Sequence, residues 1–406
     1  MPVISYRPPR MRMHPQPARM ERGLSLIEMM IGLTIGLMLT LGLFTLIANT
    51  SQSFKVQDDF SRMQENGATA FRYIGDSLRH AGFYGYSNPA LGTISPWPGS
   101  AVTTTNTCGS AANPPGDPLW AFDFAHPLIS FPDLTPANVD TVFPCINKQN
   151  FYAGPPMANP NPILVTRGAN GYRICNAPVP PPGPGAPPEC KNLLTAQPDY
   201  LNTIYIQSAP SGGTYFYGSE YKAADAKKYP GPGGTPGTTD LEMFEYRAHV
   251  YYVRSCSRPA GGAATCTPDI PGGAKSPDDN GHPIPTLVRQ ELIGNVMTEV
   301  PLVEGVELID YRFGVDIDGN GVADVFKATP LPDEWINVMA VKVTVLVRSP
   351  GLNLAYDDSG KQYDLYGDGK TRIYTCKASP APACSYKRKV YSQIFQVRNV
   401  AQRKGA

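Results

Sequence analysis

The feature that most constrains this chain is a long apolar run near its N-terminus. Residues 24–48 contain few polar side chains apart from Glu28 and small hydroxyl residues. As a helix, a run of this length would extend about 37 Å, which is enough to cross a bilayer. Arginines precede the run, so we expect the short leader to stay in the cytoplasm and the bulk of the chain to face the periplasm. These arginines are Arg7, Arg10, Arg12, Arg19 and Arg22.

Glu28 is the unusual residue of this run. A carboxylate at the centre of a bilayer costs about 2.5–3.5 kcal/mol, and less near the end of a span. The helix dipole offsets only part of that cost, so Glu28 needs a partner. Cleavage after Gly23 would create an α-amino group at Leu24, and this cation, on the same chain or a neighbouring one, is the expected counter-charge. An ordinary signal peptide, the alternative, lacks such an acid and is cut after its apolar run.

The helical pattern continues beyond the apolar run. Between Phe60 and Ala81, apolar residues recur at steps of three and four, with charged residues between them. This periodicity predicts an amphipathic helix whose apolar stripe packs on a sheet. A near-continuous helix from residue 24 to about residue 83 would be about 90 Å long. Gly82 and the aromatic residues up to Tyr86 predict its end.

The remainder of the chain divides into two parts. Residues 86–200 are rich in Pro, Gly, Asn and Thr and show no long periodic segment, which predicts a loop-rich insertion. From residue 201 onward strand signals cluster, and a long helix followed by mostly consecutive strands indicates an α+β fold with an antiparallel sheet. The predicted strands are Leu201–Gln207, Phe244–Arg254, Thr286–Leu292, Val306–Val315, Trp335–Arg348 and Lys389–Val400, with a further short signal at Pro162–Thr166.

The chain contains 8 cysteines, which fall into neighbouring couples. None forms a C-x-x-C pair, so a zinc site is not expected. Disulfides in an oxidising compartment fit better than buried reduced thiols, which are the alternative. Pairing by adjacency predicts Cys108–Cys145, Cys175–Cys190, Cys256–Cys266 and Cys376–Cys384.

An acidic loop is the best candidate for a ligand site. Oxygen-bearing side chains stand at positions one, three, five and nine of the loop, with a glycine at six and Val322 at seven. This spacing is typical of the start of a calcium loop, although position twelve is Lys327 and not a glutamate. A plain hairpin turn would have a similar composition. The candidate oxygen ligands are Asp316, Asp318, Asn320 and Asp324, with Val322 through its backbone carbonyl.

Several function classes find no support in the sequence. The formal net charge is +1, which does not suggest a nucleic-acid partner, and the basic run Lys387–Lys389 is interpreted as a solvated strand face. The histidines are scattered and form no catalytic motif. A membrane-anchored hydrolase, a different class of protein, would need a convergent nucleophile or metal site. We therefore expect a protein that is not an enzyme and that requires no cofactor, with calcium as the one candidate ion.

The segment Arg22–Glu28 resembles the class III signal of type IV prepilins and type II secretion pseudopilins. The resemblance implies that a prepilin peptidase cuts after Gly23 and that Leu24 is then N-methylated. It also implies that Glu28 pairs with a neighbouring N-terminus during assembly. These families usually have Phe at the first mature position, where this chain has Leu24.

Beyond this signal, the whole chain resembles the PilW group of minor pilins. The further matching segments are Ala81–Phe83, Tyr311–Asp316, Lys387–Tyr391 and Val397–Asn399. The resemblance implies a type IV pilin fold, with the long helix packed on a C-terminal antiparallel sheet. It also implies a role in priming or supporting pilus assembly. The implied partners are other minor pilins, the major pilin and prepilin peptidase, together with a large tip adhesin in some systems.

These expectations divide the chain into five parts. They are a cytoplasmic leader at 1–23, a transmembrane half-helix at 24–48, an amphipathic half-helix at 49–85, a loop-rich insertion at 86–200 and a β-sheet head at 201–406. The protein is expected in the inner membrane with a periplasmic head before assembly, and in the extracellular pilus afterwards. Two alternatives remain open at this stage: a type II secretion pseudopilin, and a pilus-borne adhesin that uses residues 86–200.

Overall fold

The computed structural model describes most of the chain from Ser25 to Asn399. The described residues are 25–86, 94–97, 99–102, 108, 120–154, 160–175, 191–192, 201–209, 212–220, 243–268, 275–293, 296–354, 356–376 and 384–399. The chain divides into two compact units, Met1–Asp58 and Asp59–Ala406.

One long helix and a set of strands make up the regular structure. Helix α1 spans Leu26–His80, which confirms the long N-terminal helix. Short helical segments lie at Trp120–Phe122, Val139–Val142, Gly218–Glu220, Ala260–Gly262, Asp278–Gly281 and Trp335–Asn337. The strands are β1 (Ile94–Pro96), β2 (Leu128–Phe131), β3 (Ile163–Cys175), β4 (Lys191–Asn192), β5 (Ile204–Ala209), β6 (Gly212–Tyr217), β7 (Met243–Arg254), β8 (Thr286–Ile293), β9 (Val296–Glu304), β10 (Val306–Val315), β11 (Val325–Lys327), β12 (Val338–Arg348), β13 (Gln362–Asp364), β14 (Ile373–Thr375) and β15 (Arg388–Gln396).

The strands form three sheets. The largest has nine strands in the order β1-β6-β5-β7-β3-β2, with β4 beside β3, β8 beside β7, and β9 beside β8. The second is antiparallel, with the order β11-β10-β12-β15, and a small hairpin joins β13 to β14. A long helix followed by mainly antiparallel sheets confirms the predicted α+β class.

The second half of α1 packs on strand β15. Its buried stripe includes Met63, Ala70, Ile74 and Leu78, all completely buried, because these residues recur with the helical period on the side facing the sheets. Two glycines on this side let aromatic rings approach the helix backbone. A Cβ atom at Gly67 would lie 2.9 Å from Cδ2 of Tyr391, and one at Gly75 would overlap the ring of Phe395.

Replacing Gly75 with alanine is expected to lower the free energy of unfolding by about 1–3 kcal/mol, because the ring of Phe395 must move out of a packed position. The measurement is denaturant unfolding of the full chain in detergent. Gly351→Ala is the matched control: nothing lies within 4 Å of its added Cβ atom, so we expect a change below about 0.5 kcal/mol. Equal effects of the two substitutions would show that this ring contact does not stabilise the helix.

The helix ends where it meets strand β3. Ala81 forms an isolated antiparallel bridge with Gly168, and the backbone N–H of Gly82 donates to the carbonyl of Arg167 at 2.9 Å. Gly82 has φ of 75°, a left-handed conformation that glycine adopts at little cost and that commonly follows a helix. This contact fixes the end of α1 on the nine-stranded sheet.

The predicted strands from residue 201 onward agree with the structure within a few residues, and β10 has the predicted bounds. The prediction of a loop-rich insertion at 86–200 misses strands in this range, above all at residues 163–175, where the short strand signal at Pro162–Thr166 covers only the start. These residues form β3, which pairs with β7 on one side and β2 on the other. This strand therefore belongs to the β-rich unit and is not part of a separate loop.

Three disulfides lie within the described residues, and they join three of the couples predicted by adjacency. They are Cys108–Cys145, Cys256–Cys266 and Cys376–Cys384. The remaining predicted pair, Cys175–Cys190, involves Cys190, which lies outside the described residues.

Candidate functional site: the N-terminal helix and the polar sites of the head

The first half of α1 has the properties of a membrane-spanning segment. It is long and apolar enough to cross a bilayer, and no residue in its most apolar 18-residue stretch is buried. Large side chains such as Leu26 and Phe44 are 78% and 71% exposed. Lipid is the environment that such a surface favours.

The hydroxyl groups of this segment are satisfied within the helix. The side chain of Thr34 donates to the carbonyl of Met30 at 3.0 Å, and that of Thr40 donates to the carbonyl of Gly36 at 2.9 Å. Thr50 makes the same kind of bond to the carbonyl of Leu46 at 2.8 Å. Because no water is available in a bilayer core, this bonding suits the helix to a lipid surrounding.

Glu28 lies in the first turn of α1. The helix begins close to the predicted cleavage position, and the backbone N–H of Glu28 donates to the carbonyl of Ser25 at 3.0 Å. Gly23 and Leu24 lie outside the described residues, as does the leader before them. The predicted cleavage, methylation and pairing with an α-amino group therefore stay predictions.

The acidic loop lies between β10 and β11. Asp316 is buried, and its two carboxylate oxygens accept backbone N–H groups of Gly319 at 2.7 Å and Gly321 at 3.1 Å. Asp324 accepts the N–H of Ile317 at 2.7 Å. One carboxylate oxygen each from Asp316, Asp318 and Asp324 lies within 4.8 Å of the others. The loop therefore brings together three of the five predicted calcium ligands.

The other predicted positions are less favourable for an ion. The side-chain oxygen of Asn320 accepts the backbone N–H of Val322 at 2.8 Å, which is a turn contact. Lys327, at the twelfth position, pairs with Glu334 at 2.5 Å. The loop fits calcium through three carboxylates and lacks the bidentate glutamate of a full EF-hand loop.

If the loop binds calcium, titration calorimetry of the full chain with CaCl₂ should give heat, because carboxylate oxygens are ligands that Ca²⁺ prefers. Asp318→Ala is the informative variant, since Asp318 is exposed and its loss should weaken binding by about tenfold or more. Asp364→Ala in another acidic turn is the control and should leave binding unchanged. Absence of heat in the parent protein would make this site a plain turn.

A polar cluster that the sequence analysis missed joins α1 to the large sheet. The hydroxyl oxygen of Ser77 lies 2.8 Å from Nδ1 of His249 and 2.6 Å from the hydroxyl of Tyr251. Nε2 of His249 lies 3.6 Å from a carboxylate oxygen of Glu291. These residues stand far apart in the sequence, so no local motif could reveal them.

The contacts that run from serine to histidine to glutamate resemble those of a hydrolytic triad. In this protein, however, Ser77 is only 7% exposed, at the contact between the helix and the sheet, and its hydroxyl contacts Tyr251 as well as His249. A nucleophile must reach a substrate carbonyl. We interpret the cluster as a polar packing contact between the helix and the sheet.

Burial lowers the pKa of His249, although the contact with Glu291 opposes this shift. Burial would raise the pKa of Glu291, but the hydrogen bond with His249 and the charge of Arg289 lower it to about 2. The folded protein therefore favours neutral His249 and ionised Glu291, with Arg247 and Arg289 as the nearby cations.

The stability of the protein should consequently fall as the pH falls below about 6.5, because the unfolded chain binds a proton that buried His249 resists. Denaturant unfolding of the full chain between pH 5 and pH 8 measures this slope. His249→Gln should reduce the slope in this window, whereas the loss linked to Glu291 begins only below about pH 4.5 and lies outside the window. Identical slopes for the parent and the variant would contradict the assignment.

The basic run Lys387–Lys389 is not a solvated strand face. Lys387 and Arg388 are buried, and only Lys389 is exposed. Lys387 pairs with Asp59 of α1 at 3.0 Å. Arg388 makes two hydrogen bonds to Glu307, at 2.5 and 3.0 Å, and one to Asp358 at 3.0 Å. The sequence interpretation failed because the partners lie on other elements.

Comparison with models of protein families gives two matches. Residues 18–44 match the prokaryotic N-terminal methylation motif. This match identifies the class of the chain as one that carries a prepilin-type N-terminal signal before a membrane-anchoring helix. Residues 274–399 match the family described as type IV pilus-assembly protein W, a range that includes β8–β10, β12 and β15. The two matches confirm the resemblance to the PilW group over residues 274–399 and the resemblance to a prepilin signal over residues 18–44.

Comparison with the curated proteins and with the solved structures gives no match. The family matches support a role as a minor pilin of the type IV pilus, and they imply pilins and a prepilin peptidase as partners. The signal motif and the apolar helix fit anchoring in a membrane before assembly.

Proposed function

We propose that this chain is a minor pilin that primes or supports type IV pilus assembly in a complex with other minor pilins. The observation that carries the proposal is the combination of a prepilin signal, an unburied apolar helix that begins beside Glu28, and a head that matches pilus-assembly protein W. This combination serves a subunit that must be held in a membrane and then packed into a filament.

In this proposal the leader is removed after Gly23 and the new terminus at Leu24 is methylated. The head lies on the periplasmic side of the inner membrane until assembly and outside the cell afterwards. Arginines before the apolar run favour a cytoplasmic leader. Disulfides in the head favour an oxidising compartment, where such bonds persist.

Assembly uses Glu28 as the polar group that finds a cation on a neighbouring subunit. The partners are other minor pilins and the major pilin, and in some systems a large tip adhesin. The role is non-catalytic and needs no cofactor, with calcium at the Asp316–Asp324 loop as an accessory ligand. The burial of Ser77 at a packing contact supports this interpretation over a hydrolase.

The direct test is N-terminal sequencing of the mature protein from cells with and without prepilin peptidase. We expect a mature chain that begins at Leu24 only when the peptidase is present, and we expect that chain in sheared filaments. A mature terminus near residue 50 would indicate an ordinary signal peptide instead and would overturn the proposal.

A pseudopilin of a type II secretion system shares the same N-terminal signal and is the second candidate. The match of residues 274–399 to a pilus-assembly family favours the pilus. Deletion of the chain should therefore reduce surface pili and leave type II secretion intact. The adhesin alternative needs residues 86–200 as a free binding surface, and the pairing of β3 with β7 within this range argues against that use of the whole segment.

A further inference from the structure

Strand β15 leaves one long edge of the four-stranded sheet open. Among the described strands it is the last in the order β11-β10-β12-β15, and there it pairs only with β12. Its register with β12 runs without a shift from Arg348↔Arg388 to Ala340↔Gln396. The other edge of β15 is therefore a candidate site for adding a strand.

The ladder shows which backbone groups point to this open edge. The N–H of Val397 donates to the carbonyl of Met339, and that of Ser349 donates to the carbonyl of Lys387, both at 2.8 Å. Both bonds continue the same register, so odd-numbered residues of β15 direct their backbone groups towards β12. In an antiparallel pair these positions alternate. The even-numbered residues, including Val390, Ser392 and Ile394, therefore direct their N–H and C=O groups outward.

No hydrogen bond within the described part of the chain reaches the outward backbone groups of Val390, Ser392 or Ile394. The face of β15 towards α1 is filled by Tyr391 and Phe395, which contact the glycines of the helix, so the face is covered while the edge stays open. Ile394 is 56% exposed and Ser392 is exposed. Unpaired N–H and C=O groups in a row form a template for another strand.

The other described sheet edges are protected in ways that β15 is not. Strand β9 contains Pro301, which lacks an N–H, and β1, β4 and β11 have only two or three residues each. Strand β2 has four residues. Strand β15 has nine residues and no proline. Short length and proline are the usual protections of an edge against added strands, and β15 lacks both.

Basic side chains flank this edge at its two ends. Lys389 is exposed near one end of β15, and Arg398 is exposed beyond the other end. The guanidinium of Arg79 on α1 lies 5.7 Å from the ring centroid of Phe395, which extends the positive charge onto the helix. A second copy of this chain, paired antiparallel, would bring Lys389 towards the end that carries Arg398 of the other copy. Like charges in cross-strand positions are unfavourable, so the edge fits a strand with acidic residues better than it fits itself.

We infer that the open edge of β15 accepts an extended, acidic strand from a different pilus subunit. This inference rests on the proposed function, because it assigns the surface by which the head contacts another pilin. Main-chain hydrogen bonds to Val390, Ser392 and Ile394 would hold the strand. Carboxylates near Lys389 and Arg398 would set its choice of partner.

The test places a photo-crosslinking amino acid at Ile394 of the full chain in cells that make pili. Leu354 is the matched control position, since it is 80% exposed and lies off the strand. After irradiation of membranes and filaments together, we expect an adduct with another pilin from position 394 at about ten times the yield from position 354. An adduct with twice the mass of this chain, or equal yields at the two positions, overturns the inference.

Three further variants, each made in the chain that carries the photo-crosslinking amino acid at position 394, distinguish strand pairing at this edge from mere proximity. Ser392→Pro removes an outward N–H and leaves the backbone bonds to β12 in place, and Ser392→Ala retains that N–H. Both variants lose the 3.0 Å contact of the Ser392 hydroxyl with Thr344 of β12, so the alanine variant is the matched control for that loss. The proline variant should lower the adduct about tenfold, whereas the alanine variant should stay within about twofold. Lys389→Glu tests the charge independently and should also lower the yield. An unchanged yield in both Ser392→Pro and Lys389→Glu overturns the inference.

Entry of the chain into sheared filaments is scored separately in the same cells. Failure of the proposed function appears as absence of the parent chain from filaments. Failure of the inference appears in the pattern of adducts, which is read from membranes as well as filaments. The two results are therefore distinguishable.

Discussion

Glu28→Ala is expected to lower the amount of this chain in sheared filaments by at least about tenfold, since one lost charge-assisted contact in an apolar surrounding accounts for a difference of that size. Glu28 lies in the first turn of a helix whose apolar surface is exposed, so a neighbouring N-terminus is its expected partner. Alanine leaves that cation without its counter-charge. Quantitative immunoblotting of filament and membrane fractions measures the effect.

Two controls distinguish assembly from insertion. Thr34→Ala removes a hydroxyl that bonds only within the helix, and it should leave filament entry unchanged. Cleavage after Gly23 and the total amount in the membrane should be similar in the parent and the Glu28→Ala variant. If Glu28→Ala enters filaments as well as the parent chain, the carboxylate has no role in assembly.

Arg388→Met is expected to lower the free energy of unfolding by about 3–5 kcal/mol, because it leaves buried carboxylates without their cation. The side chains of Arg388, Glu307 and Asp358 are 1%, 3% and 0% exposed. Two weaker cations remain, because Arg348 lies 4.0 Å from Glu307 and Lys361 lies 3.6 Å from Asp358, and neither replaces the hydrogen bonds from Arg388. Denaturant unfolding of the full chain in detergent measures the loss.

Lys389→Met is the matched control for this prediction. Lys389 is the next residue on the same strand and is exposed, so its replacement should change stability by less than about 0.5 kcal/mol. A double replacement of Glu307 by Gln with Arg388 by Met should recover part of the stability, because it removes one of the unpaired charges. Equal losses for Arg388→Met and Lys389→Met would show that the buried pairs contribute nothing beyond packing.

The sequence predicted the elements that depend on local patterns. The apolar run and the helical period extend without interruption into α1, and the strand signal at Val306–Val315 coincides with β10. The strand signal at Pro162–Thr166 covers only the start of β3. Gly168, Asn170 and Gly171 interrupt the pattern further along, where the strand depends on pairing with β7. Tertiary contacts of this kind override local propensity.

Among the polar sites, too, those formed by neighbours in the sequence could be predicted and those formed by distant residues could not. The acidic loop could be found because its residues are neighbours in the chain, and the structure brings their carboxylates together. The contacts of Ser77 with His249, and of Arg388 with Glu307, join residues that are 172 and 81 positions apart. Composition around each residue carries no sign of such a partner, and this is why Arg388 resembled a solvated residue in the sequence.

The packing of α1 on β15 has a consequence for biosynthesis. Tyr391 and Phe395 belong to β15, the last of the described strands, yet they cover a helix that is made long before them. The apolar stripe of that helix is therefore covered by these rings only after β15 has been synthesised. Chains that lack β15 would expose Ile74 and Leu78 to chaperones and proteases, so this arrangement selects against subunits truncated before β15.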